Sequence, residues 1–148
     1  MQYITKIFSF NDPEYKLALD LRNRVLRQPL KLQFTEAELR KDEADTHFGL
    51  FEGDTIRACL ILSETPNGRM KMRQVAVDNH YQGKGLGKIL SHAAEDYAAK
   101  RGFHTMFCSA RKTAVPFYQR LGYKIVGDEF LEITIPHFIM EKKLTSNQ

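Results

Sequence analysis

Gln74-Val75-Ala76-Val77-Asp78-Asn79-His80-Tyr81-Gln82-Gly83-Lys84-Gly85-Leu86-Gly87-Lys88-Ile89-Leu90 is the stretch on which the fold turns. A β-branched run ends at Asp78, a polar turn follows, three glycines stand on alternate positions, and an apolar pattern of helical spacing begins. Strand, glycine loop and helix start make a phosphate-binding arrangement, because free N–H groups and the positive helix end point the same way. Gly83, Gly85 and Gly87 have no Cβ to keep a pyrophosphate off the backbone. The spacing does not fit two common nucleotide loops. A P-loop needs Ser or Thr after Gly-Lys, and Ile89 follows Gly87-Lys88. A dinucleotide fingerprint needs a glycine where Lys88 stands. The stretch does fit Gln/Arg-x-x-Gly-x-Gly/Ala, filled by Gln82-Gly83-Lys84-Gly85-Leu86-Gly87. A glycine-rich turn without a ligand is the alternative at this point.

A chain of 148 residues, 43% hydrophobic and 27% charged, reads as one globular domain over residues 1–148. No apolar run approaches membrane-span length, and the N-terminus lacks a signal-peptide pattern, so a cytoplasmic protein with no membrane partner is expected. A net charge of +4 suits an anionic ligand. No dense Lys/Arg tract with interleaved aromatics argues for nucleic acid. Cys59 and Cys108 lie in apolar strand-like runs and read as buried free thiols, with neither disulfide nor metal site.

Along the chain, Tyr3 to Phe10 reads as a strand. Asp12-Pro13-Glu14 opens a helix with Leu17, Leu21 and Val25 on one face and Ala18 and Leu26 beside them; Pro29 ends it by Gln28. An irregular link from Arg27 to Phe34 precedes a short helix capped by the box Thr35 to Glu38. His47 to Glu52 and Thr55 to Ser63 form a hairpin about Gly53-Asp54, and Pro66-Asn67-Gly68 makes the next turn.

Arg69 to Asp78 is the fourth strand. Its apolar residues change parity, from Met70 and Met72 to Val75 and Val77, which predicts a β-bulge near Arg73-Gln74. A central strand covered on both faces is the alternative. Gly83 to Arg101 reads as a helix with a stripe of Leu86, Ile89, Leu90, Ala93, Ala94, Tyr97 and Ala98, stopped by Gly102. Phe103 to Cys108 is a strand, Thr113 to Leu121 a helix closed by Gly122, and Tyr123 to Val126 and His137 to Lys142 are strands around a loop from Gly127 to Pro136. The tail from Thr145 to Gln148 is expected to fray. The order implies an α/β fold with a mixed sheet and helices on both faces.

The glycine loop resembles the acetyl-CoA loop of the GCN5-related N-acetyltransferases, the GNAT superfamily, and the element order resembles that fold over essentially the whole chain. Ala114-Val115-Pro116-Phe117-Tyr118-Gln119-Arg120-Leu121-Gly122-Tyr123 resembles the family's C-terminal segment. Gly127-Asp128-Glu129-Phe130-Leu131-Glu132, Ile135-Pro136-His137 and the segment Arg22 to Leu26 look like its ElaA-like branch. The resemblance implies a mostly antiparallel sheet whose fourth and fifth strands splay at the bulge to admit the pantetheine arm.

It also implies the chemistry. Acetyl-CoA is the co-substrate, no metal is needed, and the acceptor is a small-molecule or peptide amine. Val75, Ala76 and Val77 offer main-chain groups to pantetheine, and Gln82, Gly83, Lys84, Gly85, Leu86, Gly87 and Lys88 hold the pyrophosphate. Lys84 and Lys88 are otherwise solvated surface charges. Direct attack needs no nucleophilic side chain. Tyr118 is the expected general acid toward the departing sulfur and, with Phe117, an expected cofactor contact; a core aromatic is its alternative. Ser109-Ala110 stands where many members carry asparagine before alanine, which puts that CoA contact in doubt. Candidates for the base are Glu43, His47, Glu129, Glu132 and His137, or a water chain. The acceptor is expected between the Arg27 to Phe34 link and the Gly127 to Pro136 segment, with Glu129 or Glu132 on the ammonium. A non-catalytic acyl-CoA sensor is the alternative function, and a homodimer is left open.

Overall fold

Pro13 at the first helical position starts α1 (Pro13–Arg22), as its fixed φ allows. The Asp12 carboxylate accepts from the Ser9 N–H at 2.8 Å and makes no side-chain cap to the helix. The computed structural model describes residues 2–145. Of the tail expected to fray, only Thr145 falls among them.

The elements follow the expected order. β1 (Ile4–Phe8) and α1 lead, through a π-helical turn at Asn23–Arg27 and a 3-10 turn at Gln28–Leu30, to α2 (Glu36–Arg40). Then come β2 (Thr46–Glu52), β3 (Thr55–Thr65), β4 (Arg69–Val77), α3 (Leu86–Lys100), β5 (Thr105–Arg111), α4 (Val115–Arg120), β6 (Lys124–Glu132) and β7 (Ile135–Lys143). Seven strands are hydrogen-bonded in the order β1-β2-β3-β4-β5-β7-β6. β1–β2, β2–β3, β5–β7 and β6–β7 pair antiparallel, and β4–β5 pairs parallel. That parallel ladder runs from Arg69 to Lys71 against Thr105 to Phe107.

Contacts concentrate in two compact units, residues 1–63 with 73–94, and residues 64–72 with 95–148. In the first, a core of Phe8, Tyr15, Ala18, Leu21, Phe51, Ile56, Cys59 and Ala76 joins α1 to the sheet. Most of the expected face of α1 goes inward, Ala18 and Leu21 into this core with Val25 and Leu26 packed against it, but its edge is shifted. Leu17 is exposed, while Tyr15, Ala18, Leu21 and Arg22 go inward. The reason is ionic: the Tyr15 hydroxyl and Arg22 Nη1 both donate to Asp42 Oδ2, at 2.6 and 2.9 Å, and Asp42 is fully buried.

The irregularity in β4 falls at Gln74, a non-glycine residue at φ 55. Beyond it Ala76 takes the core position, and Val75 and Val77, expected to restore the apolar face, are half-buried. Residues 83–85 precede α3, because Gly83 and Gly85 both stand at φ 81, outside helical space. Leu86, Leu90, Ala94 and Ala98 form the buried stripe of α3, joined by Ser91 and Glu95, whereas Ile89 is exposed.

In the second unit, Met70, Met72, Met106, Cys108, Tyr118, Tyr123 and Met140 are buried. The segment from Gly127 to Pro136, expected as a loop, is mostly strand. β6 and β7 form a hairpin about Ile133 and Thr134, at φ 46 and 64. Such a two-residue turn usually carries Asn or Gly, so its sequence gave no turn signal. A register shift between Val126 and Phe130, with Gly127 at φ 82, accommodates the acidic Asp128-Glu129 as a bulge.

Candidate active site

The turn after β4 is fixed by short-range polar contacts. Asp78 Oδ1 accepts from the His80 N–H at 3.1 Å, capping the 3-10 turn Asn79–Tyr81. Arg57 bridges Asp78 and Glu52 at 3.3 and 3.0 Å, and its guanidinium lies 4.2 Å from the Tyr81 ring centre. The Tyr81 hydroxyl donates to Glu52 at 3.1 Å. Gln82 folds back, its Nε2 donating to the Val77 carbonyl at 3.2 Å, so its side chain braces the loop instead of reaching outward.

The glycine loop then presents bare backbone. A Cβ built on Gly83 or Gly85 would meet no atom within 4 Å, so the space over both is open. Ile89 N–H donates to the Gly85 carbonyl at 3.1 Å and closes the first turn of α3. The N–H groups of Leu86, Gly87 and Lys88 precede that bond and face the open helix end. Gly87 is buried in the turn, Lys88 is exposed, and Lys84 Nζ sits 4.9 Å from the Tyr81 ring centre. Open glycines, orphan N–H groups and flanking cations suit a phosphate.

In the second unit, α4 carries Phe117 and Tyr118, their rings 5.0 Å apart and edge to face. Tyr118 is 7% exposed. Burial, and next the Cys108 thiol, push its hydroxyl above the ordinary value near 10, so it stays protonated at neutral pH. Tyr123, stacked edge-on 5.7 Å from Tyr118, donates to Glu95 at 2.8 Å, and Lys142 reaches the same carboxylate at 2.9 Å. Composition gave no hint of that buried acid, whose two partners are remote from it in sequence.

Ser109, Glu132 and His137 come together. Ser109 Oγ donates to Glu132 Oε1 at 3.1 Å, so this hydroxyl is engaged by an acid. His137 is 2% exposed, and its Nδ1 lies 2.7 Å from the Ile135 carbonyl. A carbonyl only accepts, so Nδ1 carries the hydrogen and Nε2 faces Glu132 Oε2 at 3.6 Å. The carboxylate itself is half exposed. Glu129 is held elsewhere, 2.9 Å from Lys112 Nζ.

Two further base candidates part company. Glu43 is on the surface. His47 is 1% exposed, packed between the Phe8 and Tyr15 rings, with Nε2 2.9 Å from the Asp42 carbonyl. Burial holds it below the ordinary histidine value, so it is a neutral core residue without access to an amine.

The link after α1 is tied down by Arg27, which forks onto Glu38 at 3.1 and 2.8 Å and stacks 4.0 Å from the Phe34 ring centre. A cavity of about 590 Å³ opens along the link, lined by Asp20, Asn23, Arg24, Gln28, Lys31, Leu32 and Gln33. Among the described residues, no cluster of His, Cys, Asp or Glu is placed to hold a metal ion, and no helix is long and apolar enough to cross a membrane.

Residues 20–144 match the sequence profile of the acetyltransferase (GNAT) domain. The uncharacterized N-acetyltransferase YjcF of Bacillus subtilis is 29% identical over 140 residues, covering 92% of this chain and 97% of that protein. Against another Bacillus subtilis relative the match spans only about half the length, 52%. A candidate N-acetyltransferase from Lactobacillus plantarum, known from its crystal structure, superposes with a TM-score of 0.84 at 26% identity, over 95% of this chain and 99% of the other. Escherichia coli ElaA shares the fold, at 16% identity and a TM-score of 0.79 over 95% and 99% of the two chains.

Proposed function

The chain belongs to the GNAT acetyltransferase family, and on that premise we propose that it transfers the acetyl group of acetyl-CoA directly to a primary amine of a small molecule or peptide. Residues 1–148 act as one catalytic domain. The observation that carries the reading is the glycine loop, where Gly83 and Gly85 leave bare backbone with open space above it at the start of a 15-residue helix. In this reading Gln82 to Lys88 hold the pyrophosphate, mainly through main-chain N–H groups. Val75, Ala76 and Val77 run along the pantetheine arm.

In direct transfer the amine nitrogen bonds to the thioester carbonyl carbon, the carbon–sulfur bond breaks, the amine loses a proton and the sulfur gains one. Tyr118 supplies the proton to sulfur, a role that its buried, protonated hydroxyl supports. Glu132 receives the ammonium and, with His137 behind it, takes the proton that leaves nitrogen. Its half-exposed carboxylate, with His137 Nε2 3.6 Å away, favours it over Glu129, whose charge Lys112 already answers. Ser109 orients Glu132 in place of contacting the cofactor.

The test is free-thiol release from acetyl-CoA across a panel of small amines and peptide N-termini, with a thermal shift by CoA alone measured alongside. At least one amine should release thiol, and CoA should raise the melting temperature. No shift with CoA would overturn the reading. A shift without turnover on any amine would favour a non-catalytic acyl-CoA sensor.

A further inference from the structure

Arg73 stands in β4 one residue before Gln74, and its guanidinium bonds inside the fold through Nε and Nη2. Nε donates to Ser63 Oγ at 2.9 Å, and Nη2 donates to Asp42 Oδ1 at 2.8 Å and Asp45 Oδ2 at 2.6 Å. Ser63 Oγ in turn donates to Asp45 at 2.7 Å. Asp42 is fully buried and also carries Arg22 and Tyr15, so the partner that receives Arg73 is itself fixed. The charges of Arg22, Arg73, Asp42 and Asp45 cancel within the cluster.

Buried ion pairs of this kind are a poor source of stability, since desolvation offsets most of their attraction. They are better at fixing one geometry. The geometry here is unusual: Gln74 holds φ 55, which residues bearing a Cβ avoid unless their surroundings impose it. Two anchored residues flank it. Arg73 is tied by its three acceptors on one side, and Ala76, 2% exposed in the α1 core, is packed on the other.

We propose that Arg73 is a positioning residue for the thioester: anchored to Asp42, Asp45 and Ser63, it holds the left-handed turn at Gln74 and so sets the main chain of Val75 to Val77 against the acetyl carbonyl. The inference rests on the acetyl-CoA reading above. Arginine is required because only its planar fork reaches three acceptors in fixed directions; lysine keeps the charge and loses the geometry.

The experiment compares wild type with Arg73→Lys, using CoA and acetyl-CoA labelled with ¹³C at the carbonyl. Binding of both ligands is measured by calorimetry, and the bound carbonyl stretch by difference infrared spectroscopy. Wild type should lower the carbonyl frequency, as a hydrogen-bonded carbonyl does. In Arg73→Lys that shift should diminish and acetyl-CoA affinity should fall roughly tenfold, the worth of one such hydrogen bond. Affinity for CoA should be retained, because the glycine loop is untouched. Adding Gln74→Gly to Arg73→Lys should restore the carbonyl shift, since glycine adopts positive φ without a clamp. A role in stability alone would lower the melting temperature and leave the carbonyl frequency where it was. If Arg73→Lys does not fold, Ser63→Ala removes one acceptor more gently and should show a smaller loss in the same direction. A folded variant with unchanged frequency and acetyl-CoA affinity overturns the inference alone. Failure of wild type to bind CoA overturns the acetyl-CoA reading and this inference with it.

Discussion

Tyr118 and Glu132 are the two side chains on which the proposed chemistry depends, and each is set up by what surrounds it. Burial keeps the Tyr118 hydroxyl protonated to above its ordinary value near 10, so it remains a proton donor even in alkaline buffer. Tyr118→Phe keeps the ring packed on Phe117 and Tyr123 and removes only the hydroxyl. Turnover is expected to drop on the order of 10²-fold, with CoA affinity little changed. An unchanged rate at saturating substrates would reduce Tyr118 to a packing residue. Glu132 and Glu129 separate in the same spirit. Glu132→Gln should raise the acceptor's KM about tenfold or more, the loss of a charge-assisted hydrogen bond, and leave that of acetyl-CoA nearly untouched. Glu129 is exposed and paired with Lys112, so Glu129→Gln should move the acceptor's KM by no more than about threefold. The opposite ranking in steady-state kinetics would reassign the ammonium site.

Elements are held by their ends. Gly85 stands at φ 81 with no protein atom near its missing Cβ, so Gly85→Val clashes with nothing in the chain itself. It strains the backbone by roughly 1–2 kcal/mol and places a branched side chain where a pyrophosphate would sit. The folded variant should lose the thermal shift that CoA gives wild type; equal shifts in both would sink the loop assignment. α2 is held by the capping box of Thr35 and Glu38, and Glu38 also receives the Arg27 fork. That fork is the main reason its carboxyl falls from an ordinary value near 4.5 to about 2. A depressed acid contributes stability that is present above its unfolded value and lost as pH falls toward its folded one. Stability should therefore decline between about pH 4.5 and 2. With a third of the carboxylate exposed, the contribution is on the order of 1–2 kcal/mol. Glu38→Gln should be less stable near neutrality and flatten that acid limb in urea melts across the pH range. A parallel acid limb in both proteins would remove Glu38 from the account.

At the scale of the whole molecule, β3, β4 and α3 each run through both compact units. A unit that lost its share of these elements would fray the other's, so unfolding is expected to be one cooperative event. Urea melts followed by far-UV circular dichroism and by the fluorescence of the six tyrosines, in a chain with no tryptophan, should coincide. Acetyl-CoA should move both midpoints together. Two separated transitions would mean that the units fold independently and that a single domain is the wrong description.

Sequence by itself determined what local chemistry can encode. The capping box at Thr35, Pro13 at the helix start, the Asn67-Gly68 turn, the glycine loop and the order of all eleven strands and α-helices follow from short-range propensity and periodicity. The parity change in β4 pointed to the neighbourhood of Arg73-Gln74, where Gln74 stands at φ 55, but Ala76 takes the core position and Val75 and Val77 are only half-buried. Tertiary structure decided the rest. Leu17 faces water and Arg22 the interior because Asp42, twenty residues beyond Arg22, is buried where α1 passes. Ile133-Thr134 turns a hairpin that lacks the usual turn residues, because the pairing of β6 with β7 imposes left-handed φ on both. The partners of the candidate bases are likewise tertiary: Lys112 for Glu129, Ser109 and His137 for Glu132, a closed core for His47. Partners in space are remote in sequence, and no local rule specifies which charge a folded chain will bring beside another.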